Sequence, residues 1–253
     1  MKNIVVVCLL LFSTFSLKAQ FNHIIDAGTV TYEYKINQYE RSKKLLGQES
    51  LADKYRDYLY SLEQNRFVLR EYKLSFDHNI SFFQLMNNKE ITNYLDFLLG
   101  IPTTSVYRDL NADSLRITKE SGEDIYNLKD VIVPIKWKFT TERMNILGYE
   151  CRRANAIILD SIYVVAFYCP DINVPSGPSI FGGLPGLILG VSLPYDNINI
   201  FATEVRLDNP EIPKTSLKKE NNKTMTFNEY GDFIKNLSSS KSRIDYNQRS
   251  LYF

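Results

Sequence analysis

Along residues 30–36 the apolar side chains Val30, Tyr32, Tyr34 and Ile36 alternate with the polar Thr31, Glu33 and Lys35. A period of two puts the two sets on opposite faces of an extended chain, so this stretch predicts a strand with one wet face. The same pattern predicts strands over 67–76 and 80–86 turned at Asp77-His78-Asn79, then short strands near 105–107, 114–119 and 125–128. Asn111-Ala112-Asp113 and Ser121-Gly122-Glu123-Asp124 between them supply the local hydrogen bonding that turns need. The cleanest alternation is Val133, Ile135, Trp137 and Phe139 against Pro134, Lys136, Lys138 and Thr140. It predicts a strand with Trp137 on its core face and an acceptor for the indole N–H, and it confines Pro134 to the strand's start or an unpaired side.

Three stretches carry helical spacing instead. Leu51, Tyr55, Tyr58, Leu59 and Leu62 follow a capping-box-like Ser50-Leu51-Ala52-Asp53, and Ile91, Tyr94, Leu95 and Leu98 precede Gly100 and Pro102. Phe227, Tyr230, Ile234 and Leu237 follow Thr226-Phe227-Asn228-Glu229, a second capping-box pattern. Helices are therefore expected near 50–62, 89–99 and 227–237. The fold expected is a β-rich α+β domain: a curved antiparallel sheet or incomplete β-barrel with about three flanking helices.

One hairpin allows a sharper reading. Residues 147–158 and 162–169 read as strands turned at Leu159-Asp160-Ser161, and pairing centred on Asp160 opposes Arg152 to Tyr168, Arg153 to Phe167 and Cys151 to Cys169. Directly opposed residues of a non-hydrogen-bonded pair approach to ~4.5 Å between Cα atoms, within the range a disulfide tolerates. Cys8 aside, these are the only cysteines. A structural disulfide is expected, with two buried thiols as the alternative.

Residues 170–186 then form a long connection holding Pro170, Pro175, Pro178 and Pro185 with Gly177, Gly182, Gly183 and Gly186. Proline fixes φ and glycine opens positive φ, so the path is specified by the chain. Leu187-Ile188-Leu189-Gly190-Val191 follows as a strand apolar on both faces, and 198–207 is its hairpin partner. The run Gly182-Gly183-Leu184-Pro185-Gly186-Leu187-Ile188-Leu189, with Gly177-Pro178, Phe181, Trp137, Gly148-Tyr149-Glu150-Cys151 and Ala154, resembles the GLPGLI family of exported bacterial proteins. The similarity covers about residues 130–207, and Gly28-Thr29-Val30-Thr31-Tyr32-Glu33-Tyr34 is similar to that family's opening strand. It implies an envelope or secreted location, a β-rich fold and no established activity. Where that family often has tryptophan before the long loop, this chain has Phe167-Tyr168. The motif itself reads either as a site or as architecture.

The start of the chain changes the setting. Met1-Lys2-Asn3, an uncharged run from Ile4 to Phe12 and Leu17-Lys18-Ala19-Gln20 have the form of a signal peptide, residues 1–19, cleaved after Ala19 or Gln20. The rest, 20–253, reads as one domain. Formal net charge is +1 over 253 residues, and loss of Lys2 and Lys18 leaves about −1, too little to steer nucleic acid or an anionic membrane. No other stretch approaches the ~20 apolar residues of a membrane helix. With 44% hydrophobic residues the chain can bury a large core, and 13% aromatic residues suit strands.

Chemistry is sparse. His23 and His78 are the only histidines, and no metal-ligating spacing, dinucleotide fingerprint or nucleophile elbow occurs. No catalytic residue, metal or cofactor is assigned. The reading is a non-enzymatic envelope protein that binds an apolar or peptide ligand or an outer-membrane partner, retained in the periplasm, held at the outer membrane or secreted. The alternative is an exported hydrolase using carboxylates, with Asp130 and Glu142, or Asp160 and Asp171, as the acid pairs.

Overall fold

The structure is a computed structural model that describes residues 25–46, 56–86, 103–121, 124–159, 161–213 and 224–237. Twelve strands form one sheet. They are β1 (Ala27–Asn37), β2 (Phe67–Asp77), β3 (Ile80–Leu85), β4 (Thr103–Asp109), β5 (Ser114–Ser121), β6 (Asp124–Val131), β7 (Lys138–Ile146), β8 (Tyr149–Ile158), β9 (Ile162–Cys169), β10 (Leu187–Leu193), β11 (Ile198–Arg206) and the two-residue β12 (Thr224–Met225). The described helices are α1 (Gln38–Leu46), α2 (Arg56–Gln64) and α3 (Phe227–Leu237).

The spatial order is β12-β6-β5-β4-β3-β2-β1-β11-β10-β9-β8-β7. Two antiparallel meanders, β1–β6 and β7–β11, are thus joined side by side where β1 pairs antiparallel with β11. The link between meanders runs from β6 to β7, which lie ten inter-strand steps apart. In a flat sheet, steps of about 4.8 Å would separate them by roughly 48 Å. Residues 132–137 can bridge about 25 Å when fully extended. The sheet must therefore fold over, bringing its two halves face to face in a sandwich-like all-β arrangement. Consistent with that closure, Leu115 on β5 and Ile158 on β8 line the same cleft.

The core lies between the halves. Tyr32, Tyr72 and Phe83 are almost fully buried, and Tyr72 stacks on Phe83 at 4.6 Å between ring centroids. The Tyr32 hydroxyl donates to the Ile188 carbonyl at 2.6 Å, which satisfies its polar end inside the core. At α3 the expected capping box is present: the Glu229 carboxylate accepts from Thr226 N–H at 2.7 Å, and Thr226 Oγ1 accepts from Glu229 N–H at 3.2 Å.

Several expectations are corrected. The α+β fold with a modest curved sheet or incomplete barrel gives way to a twelve-stranded, mostly antiparallel sheet with three short helices among the described residues. The alternation at 133–139 is not a strand until Lys138, and Val133 and Phe139 are exposed. Pro134 offers no N–H to a ladder, and the chain here must travel from one edge of the sheet to the other. The helix expected at 50–62 is described only from Arg56, and α1 was not expected. The signal peptide and the 89–99 helix lie outside the described residues.

Candidate functional site

Residues 170–186 form a buried strap. Ile172, Val174, Phe181 and Leu184 are at most 1% exposed, and Gly177, Pro178, Gly182 and Gly186 are also buried, while Gly183 and Pro185 face outward. Strap and strand interlock through the main chain: Leu187 N–H donates to the Ile172 carbonyl at 2.9 Å and Ile188 N–H to the Ser176 carbonyl at 2.9 Å. Side chains tie it to the β1–β6 half and to the connector between the halves. Ser176 shares a 2.7 Å hydroxyl hydrogen bond with Ser81 on β3, Trp137 Nε1–H donates to the Gly182 carbonyl at 2.9 Å, and Arg108 on β4 donates to the Ile180 carbonyl.

Glycine is required at one point above the others. Gly186 sits at φ 142°, and a Cβ there would lie 2.1 Å from the Cys169 carbonyl oxygen. The motif residues Gly177, Pro178, Phe181, Gly182, Gly183, Leu184, Pro185, Gly186, Leu187 and Ile188 are thus brought together as packing and backbone, with few groups free for chemistry.

The hairpin register is the expected one, with Arg152 opposite Tyr168 and Arg153 opposite Phe167. The expected disulfide is not formed: Cys151 and Cys169, across the same hairpin, are fully buried free thiols, the alternative reading. A thiol hydrogen bond between them holds Cys151 above the usual thiol range and pulls Cys169 below it.

The polar chemistry lies elsewhere, on the outer face of β7–β9. Arg153 is its hub: Nη1 donates to Glu142 at 2.5 Å, Nε to Asn155 Oδ1 at 3.0 Å and Nη2 to the Tyr163 hydroxyl at 3.4 Å. The Tyr163 ring on this face is 39% exposed, whereas Phe139, packed on Tyr168, and the Arg143–Glu150 pair lie on the opposite face, that of Ala154. This ledge joins the Tyr163 ring, a planar donor fork and the Glu142 carboxylate on one surface. Sequence reading placed Arg153 only against Phe167.

Of the acid pairs, Asp130 is committed to α3, accepting from Phe227 N–H at 3.2 Å, while Glu142 is held by Arg153. Asp160 lies outside the described residues. Two buried cations had no signal in the pattern. Arg108 is 4% exposed, and Lys119 on β5 is fully buried, its ammonium pushed down to about 7 by burial and then by Arg70. Among the described residues, no group of His, Cys, Asp and Glu is placed to hold a metal ion, and no helix is long and apolar enough to cross a membrane.

The family model for the N-glycanase peptide, N-terminal domain, matches residues 103–232, just over half of the chain. The chain belongs to this family. It is not the family that the Gly182–Leu189 run resembles. The solved structure of PNGF-II in a P21 crystal form shares the fold, with TM-score 0.51 and 17% identity over 86% of this chain and 34% of that one. A second PNGF-II structure, in a C2 form, gives TM-score 0.49 and 15% identity over 79% of this chain and 31% of that one. The chain therefore spans about a third of the length of these proteins. No curated protein matches it. The expectation of a non-enzymatic protein is corrected here, because the matched family takes its name from an N-glycanase, which is an enzyme.

Proposed function

We propose that the chain is an exported glycan-handling protein, and that its β7–β9 ledge receives the glycan of N-glycosylated proteins or peptides. The observation that carries this reading is the N-glycanase family match at 103–232, which contains the whole of β7, β8 and β9. The ledge supports it chemically. A sugar presents an apolar C–H face and a rim of hydroxyls, so it is held by an exposed ring together with planar donors and carboxylate acceptors. Tyr163 supplies the ring; Arg153, Asn155 and Glu142 supply the donors and acceptors.

Export rests on the leader-like residues 1–19 and predicts a mature N-terminus at Gln20 or Phe21, read by N-terminal sequencing of protein recovered outside the cytoplasm. The glycan reading is tested by titrating the intact mature chain calorimetrically with a high-mannose N-glycopeptide and with the same peptide lacking the glycan. The glycosylated form is expected to bind, and Arg153→Ala to weaken it by about tenfold while the fold persists. Mass spectrometry of the same mixtures shows whether the glycan is released. Equal behaviour of the two peptides, with no release, would sink the reading.

A further inference from the structure

Where residues 132–137 cross between the sheet edges they roof a cleft of about 300 Å³. Its walls are Leu115 on β5, Ile135, Ile158 at the end of β8, Ile180 of the strap and Phe227 at the start of α3. Val133, Ile157 and Leu159 line the mouth and are 68%, 65% and 43% exposed, so apolar surface continues outward to solvent. Only two lining residues are ionisable, Arg108 at depth and Lys136 nearer the surface, and both are cations.

Arg108 decides the chemistry. Its guanidinium carries five N–H donors and donates to one backbone acceptor, the Ile180 carbonyl, and among the described residues no carboxylate pairs with it. The strap makes room for it: a Cβ on Gly182 would sit 3.1 Å from its Cζ. Burial alone pushes it down to about 10, the sign of a cation whose desolvation no neighbouring anion offsets.

We propose that this cleft binds an aliphatic carboxylate, with the carboxylate on Arg108 and the chain against the Leu115, Ile135, Ile158 and Phe227 walls. A guanidinium fork matches a carboxylate with two parallel hydrogen bonds. A water molecule's share of liquid volume is about 30 Å³, so the cleft holds roughly ten such units and fits a single medium-length chain. The inference is independent of the glycan reading, because the cleft residues are not those of the ledge.

The test is calorimetry on the intact mature chain with decanoate and, separately, 1-decanol. Decanoate is expected to bind at least about tenfold more tightly, the scale of a charge-assisted hydrogen bond. Arg108→Met is expected to erase that preference and leave weak binding of both. Val133→Trp, at an exposed position of the mouth, should weaken both while leaving thermal unfolding unchanged. The idea is overturned if decanoate does not bind, if the alcohol binds equally well, or if Val133→Trp leaves decanoate affinity untouched. Should Arg108→Met fail to fold, the wild-type comparison and Val133→Trp still decide.

Discussion

β10 and β7 are three places apart in one sheet, yet they are opposites. β10 reads Leu-Ile-Leu-Gly-Val-Ser-Leu, is paired on both sides and is buried at every residue but Ser192. β7 reads Lys-Phe-Thr-Thr-Glu-Arg-Met-Asn-Ile, is paired on one side only and exposes all but Thr140 and Ile146. The interior strand is covered by the strap and its neighbours, so its sequence answers to packing. The edge strand has a free row of backbone groups, and its charges guard that row against pairing with another chain. Stability is concentrated in the first region, while the second is free to carry recognition.

Four changes press on this contrast. Gly186→Ala forces a side chain into the Cys169 carbonyl at a positive φ and is expected to cost more than about 4 kcal/mol, seen as loss of a cooperative thermal transition. Phe181→Ala empties a fully buried strap position and should cost about 3–5 kcal/mol in denaturant unfolding. Cys151 and Cys169 lie at the junction of the two regions, and oxidation is expected to join them. A reductant should then lower stability by on the order of 3 kcal/mol; two thiols titratable after oxidation and unfolding would refute the bond. Arg153→Ala on the ledge should move stability by no more than about 1 kcal/mol, since its ion-pair partner Glu142 is 62% exposed to solvent. If that variant unfolds the protein, the contrast between regions fails.

The legibility of the molecule follows the same division. Local pairing was readable because alternation and turn chemistry act over a few residues: the β8–β9 register, the α3 capping box and an acceptor for Trp137 all follow from spacing. Closure of the sheet was not, because it depends on β1 meeting β11, which neighbouring residues do not encode. The Val133–Phe139 alternation misled because an extended connector and a strand share a period of two, and only partners distinguish them. At α1 the available sign was Asn37, whose side chain accepts from Glu40 N–H at 3.1 Å, a cap before a helix with a weak apolar stripe. At the sites, glycines and prolines marked the strap, but Arg108 and the Arg153 hub emerge only when distant strands assemble.

The β1–β11 seam also bears on how the protein comes into being. Tyr34 pairs with Ile200, so the join between the meanders unites segments from opposite ends of the described chain. Such contacts demand loop closure over most of the polypeptide before they return any stabilisation, and they slow folding. A chain still emerging from the ribosome lacks β11 and cannot complete the sheet. The native sheet is therefore postponed until the last of its strands has been made.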